Sequence, residues 1–329
     1  MFSSHRTGAA SRRDLWILAG VFALMVAGLG ALAAATGWDD TWEAIARITG
    51  AQLALLLILS LVNYLARGLR WHVFARRLGL GTGLLQNLRH FMGGFALSAT
   101  PGRVGELVRM RWIARETGWS FERSAPLVLI DRGADLVAMA LILGAAIGLA
   151  AGGITGAVPL VITALLTAYI ATHPQLLRGL ADLTYRLTGR LARLLVRVRR
   201  AARSLAAFRG PWTLALATAL GLVGWLAEGY ALHLLLVWLG AAIDPWMAIA
   251  IFIFATLVGG LTGAPGGVGG AEAVMIALLT LEGVPLAAAI PATLVIRLTT
   301  LWFAIVIGLL VFPFAERLSA RPAHANAPA

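Results

Sequence analysis

A Pro/Gly break within an apolar segment occurs twice in this chain, and the two copies lie 164 residues apart. The first copy reads PGRVGE and begins at Pro101, and the second reads PGGVGGAE and begins at Pro265. A long apolar segment follows each copy and carries an arginine at a matching distance, Arg132 in the first and Arg297 in the second. Broken helices at corresponding positions of two halves are typical of the midplane site of a transporter. The pattern therefore favours a membrane carrier over a soluble enzyme.

The composition indicates a protein that crosses a membrane several times. Of the 329 residues, 60% are hydrophobic and 13% are charged, which is about half the charged fraction of a soluble domain. Apolar segments occupy residues 15–36, 51–66, 84–100, 124–151, 153–172, 212–239, 246–262, 271–282 and 286–312. Several approach the roughly 20 residues that a membrane-crossing helix needs. We therefore expect an all-α polytopic fold with about six membrane-spanning helices. The absence of cysteine excludes disulfides and cysteine catalysis.

The distribution of arginine predicts which segments face the cytoplasm. The net charge is +12 and the chain has no lysine, and arginine accumulates in cytoplasmic loops. This rule places residues 1–14, the Arg-rich linker 173–210 and the tail 313–329 in the cytoplasm, and we expect the tail to be disordered. Segment 15–36 is then a retained first membrane helix, with a cleaved signal peptide as the alternative.

The same rule predicts an internal symmetry. We interpret residues 84–115 and 246–282 as helical hairpins that enter the membrane, break at the Pro/Gly run and return on the same side. The halves 50–151 and 212–312 then have opposite orientations, which is an inverted-topology repeat. A chance coincidence of the two Pro/Gly runs is the alternative.

The linker 173–210 has the pattern of an amphipathic helix. Its leucines recur every three or four residues and are flanked by arginines. This pattern fits a helix that lies in the cytoplasmic interface with guanidinium groups at lipid phosphates. A solvated helix that binds a partner protein is the alternative.

Charged residues at the first break are candidate ligand contacts. Charges within apolar segments are costly and therefore indicate function. Arg103, Glu106 and Arg109 follow the break, and Glu106 and Arg109 are one turn apart if a helix restarts there. Gly102 and Gly105 would allow a phosphate to approach the backbone, and the start of a helix binds anions. In the alternative interpretation, Arg103 and Glu106 only hold the hairpin together.

Two further charged groups flank this break in the sequence. Asp131, Arg132 and Asp135 lie in the first turns of a long apolar segment, with Arg132 one turn before Asp135. They could contact substrate or form an internal salt bridge with the Arg-rich hairpin. Arg67 and Arg70 end an apolar segment and could either extend to the membrane interface or bind lipid headgroups.

The second half offers a different set of charges. Glu272 follows the second break as Glu106 follows the first. Glu228 is the most isolated charge in the chain, and we expect Arg297 as its partner, with proton or cation coupling as a second interpretation. The glycines of this break are Gly266, Gly267 and Gly269. Gly267 occupies the position of Arg103, so the two half-sites cannot be chemically equivalent.

These motifs resemble a known family. The residues that show the resemblance are Asn63-Tyr64, Arg70-Trp71, the TPGRVGE and APGGVG runs, and Asp131-Arg132 with Asp135. Over residues 12–315 the chain is similar to the flippase-like family named for the transmembrane region of lysyl-phosphatidylglycerol synthase. The resemblance implies a multi-pass protein of the bacterial inner membrane that is linked to lipid translocation. In the bifunctional synthase a separate soluble domain makes the aminoacylated lipid, and no such domain is evident here.

The combined expectation is a lipid transporter of flippase type. Its partners would be membrane lipids and a lipid-modifying enzyme, without nucleic acid, and we expect no cofactor, metal site or enzymatic activity. A membrane-embedded transferase, which would show dependence on a divalent ion, is one alternative. A scaffold that recruits a lipid enzyme through the linker 173–210 is another.

Overall fold

The computed structural model describes residues 45–98, 104–149, 157–173 and 205–320, with isolated positions between 20 and 43 and between 175 and 183. No strand occurs in these ranges, so the all-helical prediction is confirmed there. Three predictions lie outside the described residues: the first membrane helix at 15–36, most of the linker 173–210, and the side chains of Pro101, Gly102 and Arg103.

The order of the helices repeats from one half to the other. The first half contains α1 (Gly50–Arg77), α2 (Leu84–Gly93) with a 3-10 turn (Gly94–Leu97), α3 (Val104–Thr117) and α4 (Phe121–Leu149). Next come α5 (Ala157–Thr172) and a 3-10 turn (Leu205–Phe208). The second half contains α6 (Pro211–Trp238), α7 (Pro245–Leu261), a 3-10 turn (Pro265–Gly267), α8 (Gly270–Leu281), α9 (Leu286–Arg297), a π-helical segment (Leu298–Trp302) and α10 (Phe303–Ser319). Each half thus has a long helix, a broken helical pair and a second long helix.

Close packing of α1 against α6 joins the two halves. Both helices have 28 residues. Gly224 of α6 lies against Asn63 of α1, and a Cβ added to Gly224 would lie 3.3 Å from the Asn63 Cα. Small residues allow such close approach of helices within a membrane. A buried hydrophobic cluster around α4, α6, α7 and α9 surrounds this contact. A second cluster covers α1, α2 and α10.

The helices α2 and α3 pack against each other in antiparallel orientation. Gln86 and Arg89 of α2 contact Glu116 of α3, and the His90 Nε2 lies 2.9 Å from the Glu116 carboxylate. Burial would raise the pKa of Glu116, but the hydrogen bonds and charges of these partners outweigh it and lower that pKa. The Glu116 carboxylate therefore stays ionised and holds the two helices together.

The lengths of the helices separate spanning candidates from shorter elements. Among the helices that the structure describes, three are long and apolar enough to cross a membrane: α1, α6 and the continuous 34-residue helix from Leu286 to Ser319. The 12 residues of α8 extend only about 18 Å at 1.5 Å per residue, against about 30 Å of hydrocarbon.

The last helix continues to Ser319, so the prediction of a disordered tail from residue 313 is wrong for its first seven residues. Glu316 stabilises this extension by binding Arg111 of α3 at 2.6 Å.

Gly105 at the start of α3 permits the closest backbone approach within the first hairpin. A Cβ at Gly105 would lie 2.1 Å from the Gly94 carbonyl oxygen, far inside van der Waals contact. We expect Gly105→Ala to cost about 1–3 kcal/mol, the range for overpacked sites, measured as a lower melting temperature in detergent. Gly144→Ala in α4, where a Cβ meets nothing within 4 Å, is the matched control. Equal melting of the two variants would contradict this packing.

Candidate functional site

A cavity of about 200 Å³ lies between the two halves, and both breaks contribute to its wall. Gly105 reaches it from the first half, and Gly266 and Gly267 reach it from the second. Its charged lining comprises Arg67, Glu106, Arg109, Arg132, Glu228 and Arg297. Five of these six were predicted as site residues, and the structure brings those five together from four helices, α3, α4, α6 and α9. Arg67 was not.

The same ion pair occurs once in each half. In the first, the Arg132 Nε on α4 lies 2.8 Å from the Glu106 Oε1 on α3. In the second, the Arg297 Nε on α9 lies 2.6 Å from the Glu272 Oε1 on α8. In both halves the helix that begins after the break is tied to the next long helix. The repeat in sequence is therefore a repeat in contacts.

The Glu272–Arg297 pair also fixes the backbone of the second break. The Gly269 N–H donates to the second Glu272 oxygen at 2.7 Å, and the Arg297 Nη2 donates to the Gly266 carbonyl at 2.8 Å. Gly266, Gly267 and Gly269 have φ of 63°, 70° and 86°, a left-handed conformation that only glycine adopts readily. Glycine is required here by the path of the chain. Neither Gly269 nor Glu272 lines the cavity itself.

Behind the cavity wall, α1 and α4 form a buried charge cluster. The Arg70 guanidinium donates to Asp131 and Asp135, each at 2.7 Å, and the Arg67 guanidinium donates to Asp135 at 2.8 Å. The Trp225 Nε1 of α6 adds a bond of 3.2 Å to Asp135. Arg70 is fully buried. The prediction that Arg67 and Arg70 extend to the membrane interface is therefore wrong.

The acids of this cluster do not contact the cavity. Asp131 and Asp135 were candidate substrate contacts or partners of the Arg-rich hairpin, but α1 packs against α4 and supplies their arginines instead. The predicted contact between Arg132 and Asp135 is present at 3.3 Å. These two acids are structural, since they neutralise arginines that apolar helices enclose.

Arg109 lines the cavity without an acidic partner in the described residues. It is 3% exposed, and its Nε and Nη1 make no hydrogen bond. Its guanidinium carbon lies 4.2, 5.5 and 5.6 Å from the ring centres of Phe91, Trp71 and Phe95. A Cβ at Gly94 would lie 2.2 Å from the Arg109 Nε, so glycine makes room for this side chain. A buried cation held by aromatic faces alone remains able to bind an anion.

Glu228 is a carboxylate on the cavity wall without an ion pair among the described residues. It is 5% exposed, and the expectation that it pairs with Arg297 is wrong because Arg297 binds Glu272. Glu228 is the eighteenth residue of α6, and Arg67 is the eighteenth residue of α1. The two halves thus present a basic and an acidic side chain at equivalent positions. Within the described ranges no three His, Asp or Glu side chains are grouped to hold a metal ion.

The aromatic lining residues were not predicted as site residues, although Tyr64 is among the residues that carry the family resemblance. Tyr64, Trp225 and Phe252 contribute aromatic surface, and the Tyr64 hydroxyl donates to the Thr300 carbonyl in the π-helical segment. Arg67 could have been identified through its register, because it matches Glu228 once α1 and α6 are aligned. The aromatic residues resemble ordinary core residues, so their position emerges only from the fold.

Comparison with known proteins gives two matches. The sequence model for the family described as "Lysylphosphatidylglycerol synthase TM region" matches residues 16–308. A "UPF0104 membrane protein" of Methanothermobacter thermautotrophicus is 23% identical over 325 residues, which cover 88% of this chain and 94% of the relative. The family match extends over the two breaks and the cavity between them.

Proposed function

Because the chain belongs to the family of the lysylphosphatidylglycerol synthase TM region, we propose that it is a membrane carrier of flippase type. Its cargo is a lipid with a polar or charged headgroup, which it moves between the two leaflets. The observation that carries this proposal is the charged cavity at the meeting point of both breaks. Charged groups enclosed by apolar helices are costly and mark a pathway for polar cargo.

We further propose that the two broken pairs are re-entrant and that the halves have inverted topology. The short α8 and the antiparallel α2–α3 contact at Glu116 support this arrangement. Six spanning helices would then place both termini in the cytoplasm of a bacterial inner membrane, as the positions of arginine predict. Inverted halves give inward-open and outward-open states of similar energy.

In this proposal the headgroup occupies the cavity while the acyl chains stay in the bilayer. The Glu106–Arg132 and Glu272–Arg297 pairs hold the tips of the two hairpins, whereas Arg109 and Glu228 contact the headgroup. No bond in the cargo is made or broken, and a separate lipid-modifying enzyme supplies or consumes the cargo.

We expect Glu228→Gln to slow leaflet exchange by about tenfold or more, because about 1.4 kcal/mol of lost headgroup interaction gives a factor of ten. Since Glu228 forms no ion pair with any residue that the structure describes, the melting temperature of the variant should stay near that of the wild type. The measurement is exchange of fluorescent phosphatidylglycerol and an aminoacylated analogue in proteoliposomes. Glu282→Gln, which removes an exposed carboxylate at the end of α8, is the control.

Two outcomes would overturn the proposal. Folded wild-type protein that exchanges neither lipid, but whose lipid-modifying activity requires a divalent ion, would indicate a transferase. Exchange by the wild type that Glu228→Gln leaves unchanged would place the pathway outside this cavity.

A further inference from the structure

The anion-binding element of the cavity is built by the first half alone. Arg109 is the sixth residue of α3, which begins at Val104. The sixth residue of α8, which begins at Gly270, is Met275. Glu106 and Glu272 both precede these positions by three residues and form equivalent ion pairs. The two halves therefore differ at this position, where the first half has the cation of Arg109 and the second has the thioether of Met275.

Arg109 is also the cation of the cavity wall that no carboxylate of the described residues neutralises. Arg67, Arg132 and Arg297 each have a carboxylate within 3.3 Å. Arg109 instead has aromatic rings on its faces and two N–H-bearing nitrogens without a hydrogen bond. Buried donors are normally satisfied, so unsatisfied ones beside a cavity indicate a missing acceptor.

A helix start lies beside the same guanidinium. The first turn of α3 contributes Gly105 and Glu106 to the cavity wall, and the N-terminus of a helix favours an anion through its backbone N–H groups and dipole. The planar fork of an arginine matches two oxygens of a phosphate.

We propose that Arg109 and the first turn of α3 bind the phosphate of the cargo, and that this phosphate stays with the first half throughout transport. This inference rests on the proposed function for the identity of the cargo as a lipid. The binding itself is independent of leaflet exchange. Met275 gives the second half no equivalent contact, so the headgroup is not passed from one hairpin to the other.

The test is ligand-induced thermal stabilisation of the full chain in a phosphate-free detergent, followed through its tryptophan fluorescence. The probes are dioctanoyl-phosphatidylglycerol, dioctanoylglycerol as its phosphate-free counterpart, and inorganic phosphate. We expect the phosphatidylglycerol probe to raise the melting temperature and dioctanoylglycerol to have little effect. A response to inorganic phosphate equal to that of the lipid would assign the site to free phosphate and overturn the lipid source.

Arg109→Met installs the residue of the second half at the equivalent position. We expect it to weaken apparent binding of the phosphatidylglycerol probe by about tenfold or more, as the loss of a charge-assisted hydrogen bond implies. Its melting temperature without ligand should not fall below that of the wild type, because the variant removes unsatisfied buried donors. A residue with a merely structural role would show the opposite, with lower stability and unchanged binding.

Two further variants keep the test decisive. Arg317→Met makes the same change at an exposed position and should bind like the wild type. Arg109→Lys keeps the charge but lacks the planar fork, so binding should weaken less than in Arg109→Met. Wild-type affinity in both Arg109 variants would overturn the proposal. Loss of exchange with retained, Arg109-dependent binding would instead contradict the transport function alone.

Discussion

Asp135→Ala is expected to cost about 3–5 kcal/mol in the free energy of unfolding, the range for removing one partner of a buried ion pair. Asp135 accepts hydrogen bonds from Arg67 at 2.8 Å, Arg70 at 2.7 Å, Arg132 at 3.3 Å and Trp225 at 3.2 Å. The alanine variant would leave these arginines with Asp131 and Glu106 as their remaining acids. The buried cluster would then carry uncompensated positive charge inside apolar helices.

The measurement is the melting temperature in detergent together with the yield of monodisperse protein. Glu43→Ala is the control, because it also removes a carboxylate from an arginine pair, yet the side chains of Glu43 and Arg47 are 66% and 70% exposed. Exposed pairs contribute about 0–1 kcal/mol. An Asp135→Ala protein that melts with the Glu43→Ala protein would show that the cluster is not a source of stability.

The two equivalent ion pairs should differ in their contribution to stability. The side chains of Arg297 and Glu272 are 8% and 5% exposed, whereas those of Arg132 and Glu106 are 32% and 18% exposed. Glu272→Ala should therefore cost about 3–5 kcal/mol. Glu106→Ala should cost closer to about 1 kcal/mol, as for solvated pairs.

Loss of Glu272 has a second consequence at the break. Its carboxylate also accepts the Gly269 N–H, so the variant leaves the start of α8 without this cap, at a typical cost of about 1 kcal/mol. Comparing melting temperatures of the two alanine variants under one condition tests the difference. Equal destabilisation of the Glu106→Ala and Glu272→Ala proteins would contradict the difference in exposure between the two ion pairs.

The repeat and its main contacts could be predicted from the sequence to different extents. The shared spacing placed Glu106 with Glu272 and Arg132 with Arg297 as counterparts. It did not show that each glutamate binds the arginine of its own half, because that contact depends on the packing of consecutive helices. Glu228 was assigned to Arg297 only since both were isolated charges.

Local context misled the interpretation of α1. Arg67 and Arg70 lie near the end of an apolar segment beside Trp71, which is also how residues at a membrane interface are arranged. Burial by α4 and α6 is a property of the fold and has no signature in residues 50–77. Arg109 was a candidate contact because it lies one turn after Glu106, whereas nothing in the sequence indicated the partners of Arg111 and Arg115. Only the fold places Arg109 in the cavity and the other two at Glu316.

One continuous helix contacts both broken helical pairs. Near one end Arg297 holds the second break through Glu272 and the Gly266 carbonyl. About 28 Å further along, at 1.5 Å per residue, Glu316 binds Arg111, Trp112 and Arg115 of the first hairpin. Because this helix is a stiff rod attached to both pairs, a displacement of one pair is transmitted to the other. The π-helical segment between them is the point where the rod can yield, and in the transport cycle proposed above its compliance would set how tightly the movements of the two pairs are synchronised.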